Sequence, residues 1–218
     1  MSKIYRENEM VVTTDKIAEK IISEKRSNHH RDKFFPMMIN AMGYKTGCEI
    51  GVDKAGFSFH LLSKTKIDKL YCIDCWMDNF GSKHKPEEYD PIGDNRMKEA
   101  MAKLSEFGDR AKFIKATSLE ASAKIPDGSL DFCYIDGAHN LSGIYTDLYS
   151  WIHKVRNGGL VCGHDFKDGI NSGIQDYWGG QLPYYIKTVV EDFCNQYGFK
   201  IHSVGGRIMS FWFINTIK

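Results

Sequence analysis

The chain has 218 residues, 42% of them hydrophobic and 26% charged, with a formal net charge of +1. That length supports one domain whose core needs no disulfide or structural metal. The near-neutral balance argues against duplex DNA or bulk RNA as main partner, and no apolar run approaches the roughly 20 residues that span a bilayer.

The first residues, "MSKIYRENEM", lack the apolar core of a secretory signal. Residues 15–25 carry Ile17, Ile21 and Ile22 at helical spacing. The basic stretch "SEKRSNHHRDK" after them reads as a solvated helix end, with His29 and His30 exposed. "FFPMMINAMGY" predicts a short helix ending near Gly43, "GCEIGV" a first strand, and "FSFHLLSKT" a helix after Gly56. "KLYCID" is a second strand. The segment 76–95 is long and polar with two prolines, a kind of loop that usually serves function; His84 within it reads as solvated.

Helix resumes with "RMKEAMAKLSEF", a strand with "AKFIKA", and a short helix or turn over Leu119 to Lys124. "LDFCYID" is the fourth strand, "LSGIYTDLYSWIHKV" an amphipathic helix, "RNGG" a stop, and "LVCGHDF" a fifth strand. An irregular insert, "KDGINSGIQDYWGGQLPY", precedes the helix "YIKTVVEDFCNQYG". "FKIHSV" and "IMSFWFINTI", around a glycine-rich break, form an antiparallel hairpin. Strands alternating with helices imply right-handed crossovers: an α/β, Rossmann-like, mostly parallel sheet with helices on both faces. Of the six cysteines, Cys48, Cys72, Cys133 and Cys162 sit inside apolar runs. All six read as reduced thiols of a cytoplasmic protein.

In such a sheet, ligands bind beyond the carboxyl ends of the strands. Glu49, Gly51, Asp53 and Gly56 follow the first strand and Asp74 the second, where a carboxylate can accept both hydroxyls of a ribose. Thr117 and Ser118 follow the third, Asp136 and His139 the fourth, His164 and Asp165 the fifth. The glycine spacing is G-x-x-x-x-G, and Asp53 stands where a pyrophosphate would meet a second glycine. A carboxylate there repels phosphate and suits a cationic ligand, a character that S-adenosylmethionine has.

"EIGVDKAGFS", "LYCID", the long run from Ile125 to Phe166 and the closing hairpin together resemble a class I S-adenosylmethionine-dependent methyltransferase. More narrowly, they resemble the small-molecule family that includes macrocin-type and other sugar O-methyltransferases. The resemblance covers residues 34–216 and implies a seven-stranded sheet with an antiparallel last strand. It implies a methyltransferase domain over 34–218 behind an N-terminal helical extension, 1–33. It places Glu49, Gly51 and Asp53, with Gly56 behind them, against the methionine part of the donor. Asp74 would take the ribose and Ser118 flank the adenine. It also implies a divalent ion, magnesium in many relatives, on Asp136 and Asp165, with Asp136 bordering the donor too. His164 stands where a second oxygen ligand is more usual, which leaves magnesium, a softer ion or none open.

An alcohol acceptor must lose a proton to become nucleophilic, either to a neutral imidazole or under the charge of a metal. His139 is the first candidate base and His164 the second. Trp76, Phe80, Tyr89, Tyr177, Trp178 and Tyr184 in the two inserts suit the wall of a ring-shaped acceptor, sugar or phenol alike. The expected partner is thus a small molecule, without nucleic acid or membrane, and a homo-oligomer is compatible with that. A nicotinamide-dependent reductase is disfavoured by the missing second glycine and the closing hairpin. A non-catalytic nucleoside-binding protein of the same fold stays open as the alternative.

Overall fold

The computed structural model describes residues 16, 17, 20, 30–77, 91–175, 181–205 and 209–217. Helix α1, Arg31–Ala41, buries Phe34, Phe35, Met38 and Ile39, four positions at helical spacing. Pro36 lies inside it and has no N–H to give to Asp32. The carbonyl so freed accepts instead from Lys64 Nζ at 3.1 Å. Strand β1, Thr46–Ile50, follows, then α2, Gly56–Lys64, and β2, Lys69–Asp74. Helix α3, Pro91–Leu104, starts five residues before the expected run, because proline at a first turn forfeits no hydrogen bond. A 3₁₀ segment, Ser105–Arg110, leads into β3, Ala111–Lys115.

The one-turn helix α4, Ser118–Ser122, opens on a capping box between Thr117 and Glu120. Then come β4, Leu130–Ile135; α5, Leu141–Trp151; and β5, Val155–Gly163. Here two sequence expectations are corrected. Helix α5 ends at Trp151, and "RNGG" lies within β5 as an irregularity where the register on β4 jumps from Leu130↔Val155 to Phe132↔Leu160. Gly158, at φ +75°, supplies the left-handed residue this needs, and Arg156 Nε ties the deviation to Asp131 Oδ1 at 2.7 Å. The insert read as irregular is a hairpin, β6, Asp168–Gln175, with β7, Gln181–Tyr185. Helix α6, Ile186–Tyr197, and strands β8, His202–Gly205, and β9, Met209–Ile214, close the chain.

Seven strands form one sheet in the order β3-β2-β1-β4-β5-β9-β8. β1 to β5 pair in parallel, and β9 runs antiparallel to both of its neighbours. The period-2 alternation of strand side chains divides the core into two layers. Leu70, Cys72, Phe132, Tyr134, Cys162 and Trp212 pack under α1, α2 and α3. Cys48, Ile50, Cys133, Ile135, Phe211 and Phe213 pack under α4, α5 and α6. Phe35 and Phe193, both fully buried, mark the two layers, and burying each stabilises the fold by about 1.5–3 kcal/mol. All six cysteines are free thiols. Among the described residues, no helix is long and apolar enough to cross a membrane. The helix expected over residues 15–25 lies mostly outside the described residues.

Backbone pairing continues one residue past the strand ends. Gly51 N–H donates to Ile73 O, Asp136 N–H to Ile50 O and His164 N–H to Ile135 O. These bonds level the ends of β1, β2, β4 and β5 into one rim.

Candidate active site

The rim begins with the turn after β1. Gly51 has φ +84°, and a Cβ placed on it would stand 2.1 Å from the Asp136 carbonyl oxygen. Only glycine lets the end of β1 and the end of β4 approach so closely. Gly56 differs: a Cβ there meets no atom within 4 Å, so packing does not demand glycine at the start of α2. Asp53, Ala55, Trp76 and Asp165 hold positive φ values of 47–57°, and they are the described non-glycine residues that do so. All four lie in loops at this rim, where strained backbone tends to collect at functional sites.

Asp74 ties the first two loops together. Its Oδ2 accepts from Asp53 N–H at 2.8 Å and its Oδ1 from Trp76 N–H at 2.7 Å. Each oxygen keeps a further lone pair for a ligand hydroxyl. The Asp53 side chain is exposed and pairs with Arg96 at 3.3 Å. Trp76, expected in an acceptor wall, is buried instead; its indole N–H donates to Asp53 O at 2.9 Å and its ring lies on Phe113. Phe80, Tyr89, Tyr177 and Trp178 lie outside the described residues, as do His29 and His84. Glu49 is 2% exposed and accepts a hydrogen bond from the Ser58 hydroxyl. Burial pushes its carboxyl up to about 8 despite that bond.

Ser118 accepts from Trp151 Nε1–H at 2.8 Å. Beside it stands Asp147, a residue the sequence reading passed over, whose Oδ2 is buried without a hydrogen-bond partner. Asp147 is 2% exposed, and burial raises its carboxyl to about 6 despite the nearby Ser118 hydroxyl. Its position was legible: a carboxylate stands on the apolar face of α5 among Ile144, Leu148 and Trp151.

Beyond β4 and β5 four side chains converge. His139 Nε2 lies 3.2 Å from Asp165 Oδ2 and 3.7 Å from Asp136 Oδ1. His164 Nδ1 lies 3.7 Å from Asp136 Oδ1 and 3.6 Å from Asp165 Oδ2. Burial alone would lower the His139 imidazole, but the two carboxylates outweigh it and raise it to about 9. Burial alone would raise Asp165; His139 and His164 outweigh that and hold it well below the usual carboxylate range. One ligand atom each from Asp136, His139 and Asp165 falls within 4.8 Å of the others. His139 Nε2 is buried without a well-directed hydrogen bond, as a nitrogen does when a further group completes its surroundings. Two carboxylates and an imidazole are a donor set that fits a divalent ion.

Arg31 corrects the reading of the basic stretch as solvated throughout. Its Nη1 donates to Asp136 Oδ2 at 2.7 Å and to the Tyr134 hydroxyl at 3.3 Å. No local sequence signal announced this partner, 105 residues away. His30, by contrast, is exposed as expected, beside Asp32. On the other flank of the rim, the Tyr184 ring stands edge-on to His139, with centroids 5.1 Å apart. The β6–β7 hairpin thus borders the imidazole with an aromatic side chain.

Comparison with known proteins adds to this geometry. A sequence family described as a methyltransferase domain matches residues 48–166. None of the curated proteins matches the chain. Among solved structures, an O-methyltransferase from Bacillus cereus in complex with S-adenosylhomocysteine superposes with a TM-score of 0.60 at 11% identity, covering 94% of this chain and 90% of that one. The cofactor-bound protein Rv0187 from MTB gives a TM-score of 0.61 at 12% identity, covering 95% and 90%. The 1,6-didemethyltoxoflavin-N1-methyltransferase of Burkholderia thailandensis gives 0.57 at 11% identity, covering 85% and 78%. At such identities the likeness is one of fold.

Proposed function

The chain belongs to the class I S-adenosylmethionine-dependent methyltransferases, and from that premise we propose that it methylates a hydroxyl of a small molecule, a sugar or sugar-linked acceptor. The observation that carries this reading is the convergence of Asp136, His139 and Asp165 at the rim, bordered by Tyr184. Residues 34–218 form the catalytic unit of this proposal and 1–33 its extension, in a cytoplasmic protein.

The donor is held by groups already in place. Asp74 offers each oxygen's second lone pair to a ribose hydroxyl, and its two backbone bonds fix where those lone pairs point. Glu49 and Asp53 line the side meant for the ammonium and sulfonium, and Gly51 keeps the backbone low there. Ser118, braced by Trp151, borders the adenine, and Asp136 closes the side toward the acceptor.

In the transfer step the acceptor oxygen forms a bond to the methyl carbon as the carbon–sulfur bond breaks, and the acceptor proton leaves. Alignment of these atoms contributes on the order of 7–11 kcal/mol. At neutral pH His139 is protonated between its two carboxylates, so it takes a proton only after losing its own. A divalent ion held by Asp136, His139 and Asp165 would displace that proton and lower the acceptor hydroxyl's pKa by its charge, with His139 then a ligand and not the base. His164, against the same carboxylate oxygens, stands in reserve as a ligand or as the group that takes the proton.

The test is incubation with donor carrying an isotopic methyl group, against a panel of sugars, glycosides, phenols, amines, N-heterocycles and carbon nucleophiles with and without magnesium, read by mass spectrometry. Label on a hydroxyl oxygen of a sugar acceptor supports the proposal. Transfer confined to nitrogen or carbon acceptors sinks it.

A further inference from the structure

Asp136 is shared between two sets of partners. Its Oδ1 faces His139 and His164, while its Oδ2 is held by Arg31. The guanidinium is itself fixed on several sides. Nη1 also donates to the Tyr134 hydroxyl, Nε lies 3.4 Å from Asp32 Oδ1, and the Phe57 ring lies 5.1 Å beneath the central carbon. The side chain is 22% exposed, so solvent screens its charge only in part. Placed in this way, Arg31 does two things at once. It turns one Asp136 oxygen toward the imidazoles, and it brings a fixed positive charge next to the place where a divalent ion would sit.

We propose that Arg31 is a tethered counter-cation of Asp136, which positions this carboxylate and lowers the affinity of the rim for a divalent ion. The inference rests on the divalent-ion reading of the proposed function and deepens it, because it says how tightly that ion is held. With a guanidinium on one carboxylate oxygen, the rim keeps partial charge balance without a metal. A dication on Asp136 Oδ1 would meet the like charge that Arg31 holds on Oδ2 of the same carboxylate. A dication and one positive charge about 6 Å apart at an effective dielectric constant of about 40 repel enough to lower affinity roughly a hundredfold.

The experiment is manganese binding to the full chain, followed by electron paramagnetic resonance of the free ion and by calorimetry, with no acceptor present. Arg31→Met keeps most of the side-chain volume and removes the charge; Arg31→Lys keeps the charge. The expected result is that Arg31→Met binds manganese about a hundredfold more tightly than the wild type, while Arg31→Lys stays within about threefold. Adding Asp136→Asn to Arg31→Met abolishes the gain, since the ion sits on that carboxylate. Equal or weaker binding by a folded Arg31→Met overturns the inference and leaves the metal reading standing. Should Arg31→Met fail to fold, Arg31→Lys decides: it keeps the positive charge despite a shorter reach and weaker directionality, so manganese affinity must stay near wild type, and a tenfold change overturns the counter-cation role. If neither the wild type nor any variant binds manganese, the metal reading itself falls, and the inference with it.

Discussion

Replacing Gly51 with alanine isolates the contact that holds the rim together. Gly51 has φ +84°, and the added Cβ would lie 2.1 Å from Asp136 O, 2.5 Å from Asp136 C and 2.8 Å from Gly137 Cα. A left-handed conformation costs alanine about 1–2 kcal/mol. The neighbours are backbone atoms of the turn after β4, so relief requires that turn to move by about 1 Å, and overpacking of this kind costs about 1–3 kcal/mol. Together these predict a loss of about 2–5 kcal/mol. A chain of this size loses about 2–4 °C of Tm per kcal/mol, so melting should fall by about 4–20 °C. The displaced turn carries Asp136, so affinity for S-adenosylhomocysteine should fall as well. Gly56→Ala is the control. With open space and an ordinary φ, it should leave stability unchanged or raise it by up to about 1 kcal/mol of helix propensity. Melting followed by circular dichroism, with calorimetric titration of S-adenosylhomocysteine, reads both quantities. If Gly51→Ala melts within about 2 °C of wild type and binds equally well, the close approach of β1 to β4 is not what shapes the rim.

His139→Ala should lower turnover at least about a hundredfold while donor affinity stays within a few-fold, measured by initial rates and calorimetry; equal activity removes His139 from the mechanism. Stability should depend on pH through Glu49, whose folded-state carboxyl at about 8 lies above the ordinary 4.5. Between those values the folded chain binds more protons than the unfolded one, so Glu49 weakens the fold progressively as pH rises through that window, and its effect is constant above it. Glu49→Gln should therefore gain Tm over the wild type increasingly from pH 5 to pH 8 (~5 and ~8), and a pH-independent difference would refute a buried ionising Glu49. Asp74→Asn loses one of two oxygens able to accept a ribose hydroxyl, so S-adenosylhomocysteine should bind about tenfold or more weakly. Unchanged affinity would place the ribose elsewhere.

Much of this architecture was legible because periodicity and turn chemistry agree. "KLYCID" is the observed β2, and the strands "AKFIKA" and "LDFCYID" each overrun the observed element by one residue. The misreadings share one cause, glycine inside a strand. "RNGG" looks like a stop, yet Gly158 in a left-handed conformation lets β5 deviate and continue. In the insert, Gly169 and Gly173 disguised a strand that pairs with β7. For the site, the rule that ligands gather beyond parallel strands brought Asp136, His139, His164 and Asp165 to one rim from sequence alone. Arg31 could not be found that way, because the partner that gives it meaning is distant in sequence and close only after folding. Trp76 was misplaced for a related reason: an aromatic in a polar loop gives no sign of which face of the loop it takes. Here it turns inward, onto Phe113.

The central claim is that this rim receives a sulfonium nucleoside. Calorimetric titration of the wild-type chain with S-adenosylhomocysteine tests it most directly. The account predicts saturable heat with one site per chain. A titration that evolves no heat beyond dilution, repeated at a second temperature so that a vanishing enthalpy is not mistaken for absent binding, would contradict it.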